Sequence, residues 1–338
     1  MPTRTGKNTI ELKTKPSIIG YAAAVGKKEG EGPLAQYFDK IYIDEFCGEK
    51  SFEKAETHLQ KSAIQTALKK AKIAKTDIDL CFAGDLLNQC IGSSFGMRDL
   101  KMNFAGLYGA CSTMALSLAL ASVFVDSGAA DNAIACTSSH FCSAERQYRM
   151  PLEYGGQRTP ASQWTVTGAG TAIISAGTEN TPRVEKVIFG AIRDLGVTDP
   201  NNMGAAMAPA ATQTIASFLK DTHTAPSDYD MILTGDLGNT GSELLVKLLK
   251  SEYGINISGV HKDCGTMIFD SEKQDTHSGG SGCGCSASVL CGYILDKIKS
   301  GELKKVLFVG TGALLSPTSS LQKESTPGIA HGVLITNE

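Results

Sequence analysis

The sequence has no excess of positive charge, because its 338 residues give a formal net charge of −3. This balance argues against a nucleic-acid partner. No dinucleotide or phosphate-binding loop stands out, since the glycine-rich residues 235–241 lack the lysine of such a loop. Hydrophobic residues still make up 42%, which excludes a disordered chain and predicts one large or two smaller globular domains.

The N-terminus lacks the features of a secretory signal, because charged residues such as Arg4 and Lys7 interrupt it. We therefore expect the ten cysteines to be reduced thiols of a cytoplasmic, soluble protein. Cys283 and Cys285 lack the second ligand pair of a structural zinc site. Residues 103–125 carry no charge and are long enough to span a bilayer, but we predict a buried helix of a soluble core.

Cys111 lies in the most informative motif, where small residues precede a long apolar stretch (residues 108–114). Small residues allow a sharp turn and the close approach of a ligand. A helix that begins at the cysteine would direct its free N–H groups and its positive end towards the sulfur. The residues alone allow two interpretations: a thiolate nucleophile, or a pocket in which Cys111 and the N–H of Ser112 bind an anion.

The chain repeats itself weakly, with three similarities in the same order. Residues 77–85 and 228–236 are both predicted strands that end in Gly-Asp, and predicted helices precede them at residues 52–71 and 205–220. An apolar helix and a strand follow in each half, from Cys111 to residues 133–137 and from Cys285 to residues 306–309. Residues 168–175 resemble residues 328–336. The alternative is that any α/β chain contains similar strands.

This alternation of strands and helices predicts an α/β protein with a mixed or parallel sheet covered by helices. Glycine, asparagine and proline cluster near residues 177–183, so we predict two halves, residues 1–180 and 181–338. By symmetry, the starts of the two apolar helices should face a common centre. Ligands of such sheets bind beyond the carboxyl ends of the strands.

Two α/β halves, with a nucleophile-like cysteine at the start of a buried helix in the first half, resemble the thiolase superfamily, which includes the ketoacyl synthases. Within it, five segments resemble the stage V sporulation protein AD family: residues 17–22, 84–89, 109–114, 277–286 and 310–317. The resemblance implies a thiolase fold, in which two pseudo-duplicated halves form αβαβα layers.

The resemblance also implies a function. Members of this family bind dipicolinic acid, or calcium dipicolinate, for dipicolinate uptake into the developing spore, without established acyl-transfer activity. It implies no cofactor other than calcium that enters with dipicolinate. It further implies association with the spore inner membrane, work with the other stage V sporulation protein A membrane proteins, and a homodimer formed through residues 103–107.

The second half departs from the pattern of a condensing enzyme. Such enzymes use two more side chains from this half, usually two histidines or a histidine and an asparagine. Residues 235–240 contain no histidine, and residues 282–285 contain neither residue type. We therefore predict a non-catalytic homologue. Two alternatives are a thioester-dependent acyltransferase or condensing enzyme, in which Cys111 is acylated and His140 or His277 is the base, and a scaffold for membrane channel subunits with an unused pocket.

A site for dipicolinate, which is planar and has two carboxylates, should offer N–H groups, neutral or cationic donors and an aromatic face. Asp85 and Asp236 follow equivalent strands and would supply oxygen ligands if calcium enters with dipicolinate. The other predicted ligand-binding residues are Cys111, Ser112, Asn88, His140, Arg158, Trp164, His277 and His331.

Overall fold

The computed structural model describes residues 1–148, 158–178 and 180–337. Within these ranges the chain forms fifteen strands and eleven α-helices. The strands are β1 (Thr3–Thr5), β2 (Thr9–Glu11), β3 (Ser17–Gly26), β4 (Lys40–Tyr42), β5 (Leu80–Gly84), β6 (Phe104–Gly106), β7 (Asn132–Ser139), β8 (Trp164–Thr165), β9 (Gly168–Ser175), β10 (Arg183–Phe189), β11 (Met231–Thr234), β12 (His261–Asp263), β13 (Gly280–Ser281), β14 (Lys305–Ala313) and β15 (Gly328–Thr336). The helices are α1 (Lys27–Gly30), α2 (Phe52–Ala71), α3 (Ile91–Leu100), α4 (Thr113–Ser127), α5 (Phe141–Tyr148), α6 (Met203–Thr222), α7 (Gly238–Tyr253), α8 (Cys264–Ile268), α9 (Cys283–Val289), α10 (Leu295–Lys299) and α11 (Pro317–Leu321).

The same strand order occurs twice in the sheet. The first set runs β3-β9-β7-β5-β6, and the second runs β10-β15-β14-β11-β12. In each set the strand second in this order is antiparallel to both neighbours, and the remaining pairs are parallel. A single antiparallel pair, Arg183 with Ser17, joins the two sets. The internal repeat predicted from the sequence is therefore confirmed in the topology.

Helices form three layers around these two sets of strands. On one side α2 packs against β3 and β9, and on the other side α6 packs against β14 and β15. Between them, α4 contacts strands of both sets, and α9 contacts α4, β7 and β9. This is the αβαβα arrangement expected for the fold, and it brings the starts of the two central helices together as predicted.

The uncharged stretch that was predicted to be a buried helix (residues 103–125) contains most of α4, which is a core helix. The window Ala110–Ser127 is the one described helix that is long and apolar enough to cross a membrane, and 72% of it is buried inside the fold. Its small polar residues are satisfied within the helix: the Ser117 hydroxyl donates to the carbonyl of Met114, and the Ser122 hydroxyl to that of Leu118. Burial by neighbouring strands explains its uniform apolar character.

Candidate functional site

The Cys111 turn is tight and uses its own N–H groups. Ala110 has a positive φ of 48°, and α4 begins two residues after the cysteine, at Thr113. The N–H of Ser112 donates to the carbonyl of Gly109 at 3.1 Å, and the N–H of Thr113 donates to that of Ala110 at 3.2 Å. The first N–H groups after Cys111, which were predicted to bind a carboxylate, thus already donate to carbonyls of the turn itself.

Cys111 faces a carboxylate. Asp236 lies close to its thiol, and burial together with the charge of Asp236 raises the pKa of the thiol well above its usual range. Asp236 accepts from the N–H of Gly282 at 2.8 Å and from the Thr311 hydroxyl at 2.8 Å. Its burial raises the pKa of Asp236 to about 7. Burial and a neighbouring negative charge both favour the thiol over the thiolate that a nucleophile would need.

A small cavity opens over Cys111. Its volume is about 30 Å³, which holds about two water molecules. An apolar cavity that binds benzene measures about 150 Å³, so an aromatic ring does not fit here as the side chains stand. The cavity is lined by Leu86, Tyr108, Ala110, Cys111, Ala144, Glu145, Tyr148, Thr165, Met203, Ser281, Ala313 and Leu315.

A larger groove lies directly outside this cavity and has a volume of about 280 Å³. We call it the outer groove, and its lining consists of Leu87, Asn88, Gln89, Tyr108, Tyr148, Leu314, Leu315, Ser316 and Pro317. Three of these residues, Tyr108, Tyr148 and Leu315, also line the Cys111 cavity. Asn88 is thus the predicted ligand residue that the structure places in the groove.

Asp85 does not join Asp236 in one ligand set. It is fully buried and accepts hydrogen bonds from the N–H groups of Leu87 and Ser93, at 2.9 and 2.7 Å, and from the Ser93 hydroxyl at 2.6 Å. Burial and the nearby Asp85 raise the pKa of Glu56, a second buried carboxyl, to about 8. Among the described residues no cluster of histidine, cysteine and carboxylate side chains has the arrangement of a metal site. The structure therefore does not assemble the two predicted calcium ligands.

Trp164 and Arg158 lie outside the Cys111 cavity. Successive residues of a strand face opposite sides, so Thr165 lines the cavity while Trp164 stacks on Phe141, with ring centroids 4.0 Å apart. The Lys28 ammonium lies 3.9 Å from the Trp164 ring centroid and the Arg158 guanidinium 4.9 Å from it. The structure therefore does not bring these two predicted residues to the Cys111 cavity, because Trp164 faces away from it and Arg158 packs near the Trp164 ring.

The three predicted histidines also lie outside the cavity lining. The Nε2 of His140 donates to the carbonyl of Glu45 at 2.8 Å, and burial lowers the pKa of His140. The ring of His277 contacts the carboxylate of Asp275 at 3.3 Å, and Arg158 contacts the same carboxylate. His331 is buried, which lowers its pKa to about 4. No histidine belongs to the described lining of the Cys111 cavity.

Sequence reasoning missed the residues of α5. Glu145 is buried in the cavity wall and accepts a hydrogen bond from the Thr165 hydroxyl at 2.8 Å. Tyr148 follows one turn later, and its hydroxyl lies 3.2 Å from that of Tyr108. Tyr108 stands beside the cysteine motif and was open to prediction, whereas nothing in the sequence of α5 marks it as the wall of a site.

Comparisons with known proteins agree with this architecture. Solved structures of similar fold include 3-oxoacyl-[acyl-carrier-protein] synthase III from Aquifex aeolicus VF5, with a TM-score of 0.58 and 13% identity over 95% of this chain and 99% of that one. OleA from Xanthomonas campestris, in its cerulenin-bound form, gives a TM-score of 0.61 with 13% identity over 98% of this chain and 97% of that one. The tetronic acid condensing enzyme AbyA1 gives 0.59 with 15% identity over 95% of this chain and 99% of that one. These likenesses show the thiolase fold.

The family is defined by sequence. The family model for stage V sporulation protein AD (SpoVAD) matches residues 6–336. The stage V sporulation protein AD of Bacillus subtilis (strain 168) is 46% identical over 330 residues, which cover 98% of this chain and 97% of that protein. The chain therefore belongs to the stage V sporulation protein AD family and has a thiolase-like fold.

Proposed function

We propose that this protein binds dipicolinate, or its calcium chelate, during dipicolinate uptake into the developing spore, and that it does so without catalysing acyl transfer. Family membership places it in sporulation. The observation that carries the non-catalytic part is the burial of the Cys111 thiol close to the buried carboxyl of Asp236, which together raise the pKa of the thiol. A cysteine nucleophile reacts as the thiolate, and a neighbouring carboxylate opposes that form.

The outer groove supports binding of a planar ligand with carboxylates. Its described lining offers two tyrosine rings and neutral hydrogen-bond donors from Asn88, Gln89 and Ser316, and it includes no charged side chain. Burying a bare dianion beside such groups is costly, whereas the 1:1 chelate of calcium with dipicolinate has no net charge. Calcium would then enter only with the ligand, and the protein would need no resident metal.

The proposal includes partners. The other stage V sporulation protein A membrane proteins would hold this soluble protein at the spore inner membrane. A second copy would pair along β6, a short strand at the edge of the sheet. Phe95 and Ile91 of the neighbouring α3 are 43% and 36% exposed there, which leaves apolar surface for a partner to cover.

Calorimetry tests the ligand. The protein is titrated with dipicolinate, with and without equimolar calcium, and with benzene-1,3-dicarboxylate as a matched compound that lacks the ring nitrogen. We expect heat of binding for dipicolinate or its chelate and weaker binding of the control compound. No heat at millimolar dipicolinate, in either form, contradicts the proposal.

The competing function is an acyltransferase or condensing enzyme, which the fold and the position of Cys111 at the start of α4 favour. Incubation with an acyl-CoA, followed by peptide mass spectrometry, separates the two. We expect no mass shift on Cys111. An acyl adduct on this residue, absent from the Cys111→Ser variant, would establish the catalytic alternative.

A further inference from the structure

The Cys111 cavity and the outer groove are two compartments with one wall between them. Tyr108, Tyr148 and Leu315 line both spaces. The two tyrosine hydroxyls lie 3.2 Å apart and form a hydrogen bond across this wall. The tyrosines come from separate elements, since Tyr108 precedes the Cys111 turn and Tyr148 ends α5.

Hydrogen bonds to Asn88 also hold the C-terminal part of α5 as described. The side-chain amide of Gln147 donates to the Oδ1 of Asn88 at 2.8 Å, and the backbone N–H of Asn88 donates to the Oε1 of Gln147 at 3.2 Å. These bonds are exposed, unlike the buried hydrogen bond that Glu145, half a turn earlier, accepts from Thr165. Among the described residues, the bonds from this part of α5 to Tyr108 and Asn88 are thus exposed hydrogen bonds, which open at low cost.

We propose that Tyr108 and Tyr148 form a gate between the outer groove and the Cys111 cavity. A planar aromatic ligand first binds in the groove and enters the cavity once the hydrogen bond between the two tyrosines breaks. The volumes support this sequence of events. The groove at about 280 Å³ accepts a ring, whereas the cavity at about 30 Å³ does not until the wall moves. The role of this gate in dipicolinate binding rests on the proposed function, whereas the existence of the gate does not.

The gate is tested through the accessibility of Cys111 to a thiol reagent. The wild-type protein and the variants Tyr108→Phe, Tyr148→Phe and the double variant are treated with N-ethylmaleimide at constant pH, and the labelling of Cys111 is followed by peptide mass spectrometry. Each phenylalanine keeps the ring and removes the hydroxyl. We expect either single variant to label Cys111 about two- to tenfold faster, the range that corresponds to the loss of one hydrogen bond.

Non-additivity identifies the shared bond. Either single substitution breaks the same hydrogen bond, so the double variant should label no faster than the single ones. Tyr253→Phe, at an exposed tyrosine on α7, is the matched control and should label as the wild type does. Cys142, a half-buried thiol outside the cavity, reports general loosening within each sample.

Three results would contradict the proposed gate. The first is labelling of Cys111 at the wild-type rate in both single variants. The others are a double variant in which the two rate increases multiply, and an equal increase in the labelling rate of Cys142. Dipicolinate added in a separate arm tests the proposed function instead. Protection of Cys111 from labelling supports dipicolinate as the ligand, and absence of protection contradicts it. The ratio of variant to wild-type labelling rates without ligand tests the gate independently of the ligand.

Discussion

The thiol of Cys111 is buried close to the carboxyl of Asp236, and the two residues come from opposite halves of the duplicated fold. The cysteine stands at the start of the first central helix, where a nucleophile would be expected. The carboxyl is anchored by the N–H of Gly282, just before the second central helix. The carboxyl that the second half places near the sulfur raises the pKa of the thiol and so opposes formation of a thiolate at this turn.

Replacing the carboxyl should restore part of the missing reactivity. In Asp236→Asn the negative charge is lost, so the pKa of Cys111 should fall, although burial still keeps it raised. The check is the pH dependence of iodoacetamide labelling at Cys111, with the exposed Asp194→Asn as the control. An unchanged pH profile in Asp236→Asn would show that Asp236 does not raise the pKa of Cys111.

Glu56 should make the protein less stable as the pH rises. Its pKa is 4.5 in an ordinary environment and about 8 here, because burial and Asp85 disfavour the charge. Between these values the folded chain keeps a proton that the unfolded chain has lost, so stability is fully present below pH 4.5 and declines up to about pH 8.

Glu56→Gln removes this titration. The decline in the free energy of unfolding should flatten by up to about 1.4 kcal/mol per pH unit, which is the contribution of one proton. Urea unfolding at pH 5, 6.5 and 8 measures the slope. The exposed Glu243→Gln serves as the control and should leave the slope unchanged. Parallel curves for Glu56→Gln and the wild type would contradict the raised pKa.

Gly312 should be needed for the Cys111 turn. A Cβ at this position of β14 would overlap the carbonyl oxygen of Gly109 and lie 3.0 Å from the nitrogen of Ser112. Gly312→Ala should therefore lower the free energy of unfolding by about 1–3 kcal/mol. Gly259→Ala is the matched control, because a Cβ there meets nothing within 4 Å. Equal midpoints in urea for the two variants would show that the turn yields without cost.

The proposed homodimer should depend on α3 and β6. We expect sedimentation at twice the 35.6 kDa of one chain. Phe95→Asp places a charge on the apolar surface beside the edge strand, so it should shift the protein to the monomer. Leu321→Asp, at a leucine that is 86% exposed on α11, should stay dimeric. A monomeric wild type at micromolar concentration contradicts the pairing.

Much of the fold was predictable because local patterns specify it. The amphipathic stretch predicted at residues 52–71 forms α2 over those residues, and the strand predicted at residues 168–175 is β9. Helix α9 begins at Cys283, two residues before the predicted start, and a π-turn (Leu290–Ile294) leads it into α10. Periodicity identifies an element well, but the glycines and small thiols before α9 give little sign of where it begins.

The site was less predictable because contacts between distant residues decide it. Ten residues were expected around one ligand, and the structure separates them: Cys111 with Asp236, Asp85 with Ser93, and Trp164 with Arg158. The alternation of β8 sends Trp164 away from the cavity that Thr165 lines. A single residue's offset in a strand reverses the face it occupies, and sequence spacing alone did not define that offset.

The sequence by itself determined the duplicated α/β fold, the buried central helix and the family, because repeats, hydrophobic patterning and motif residues are local features of the sequence. It also showed that the second half lacks the expected histidines. Only the tertiary structure decided the electrostatic surroundings of Cys111 and the division of its pocket into two compartments. Both depend on burial and on partners far apart in sequence, Asp236 for the thiol and Tyr148 for the wall, and these exist only once the two halves and α5 have packed around the Cys111 turn.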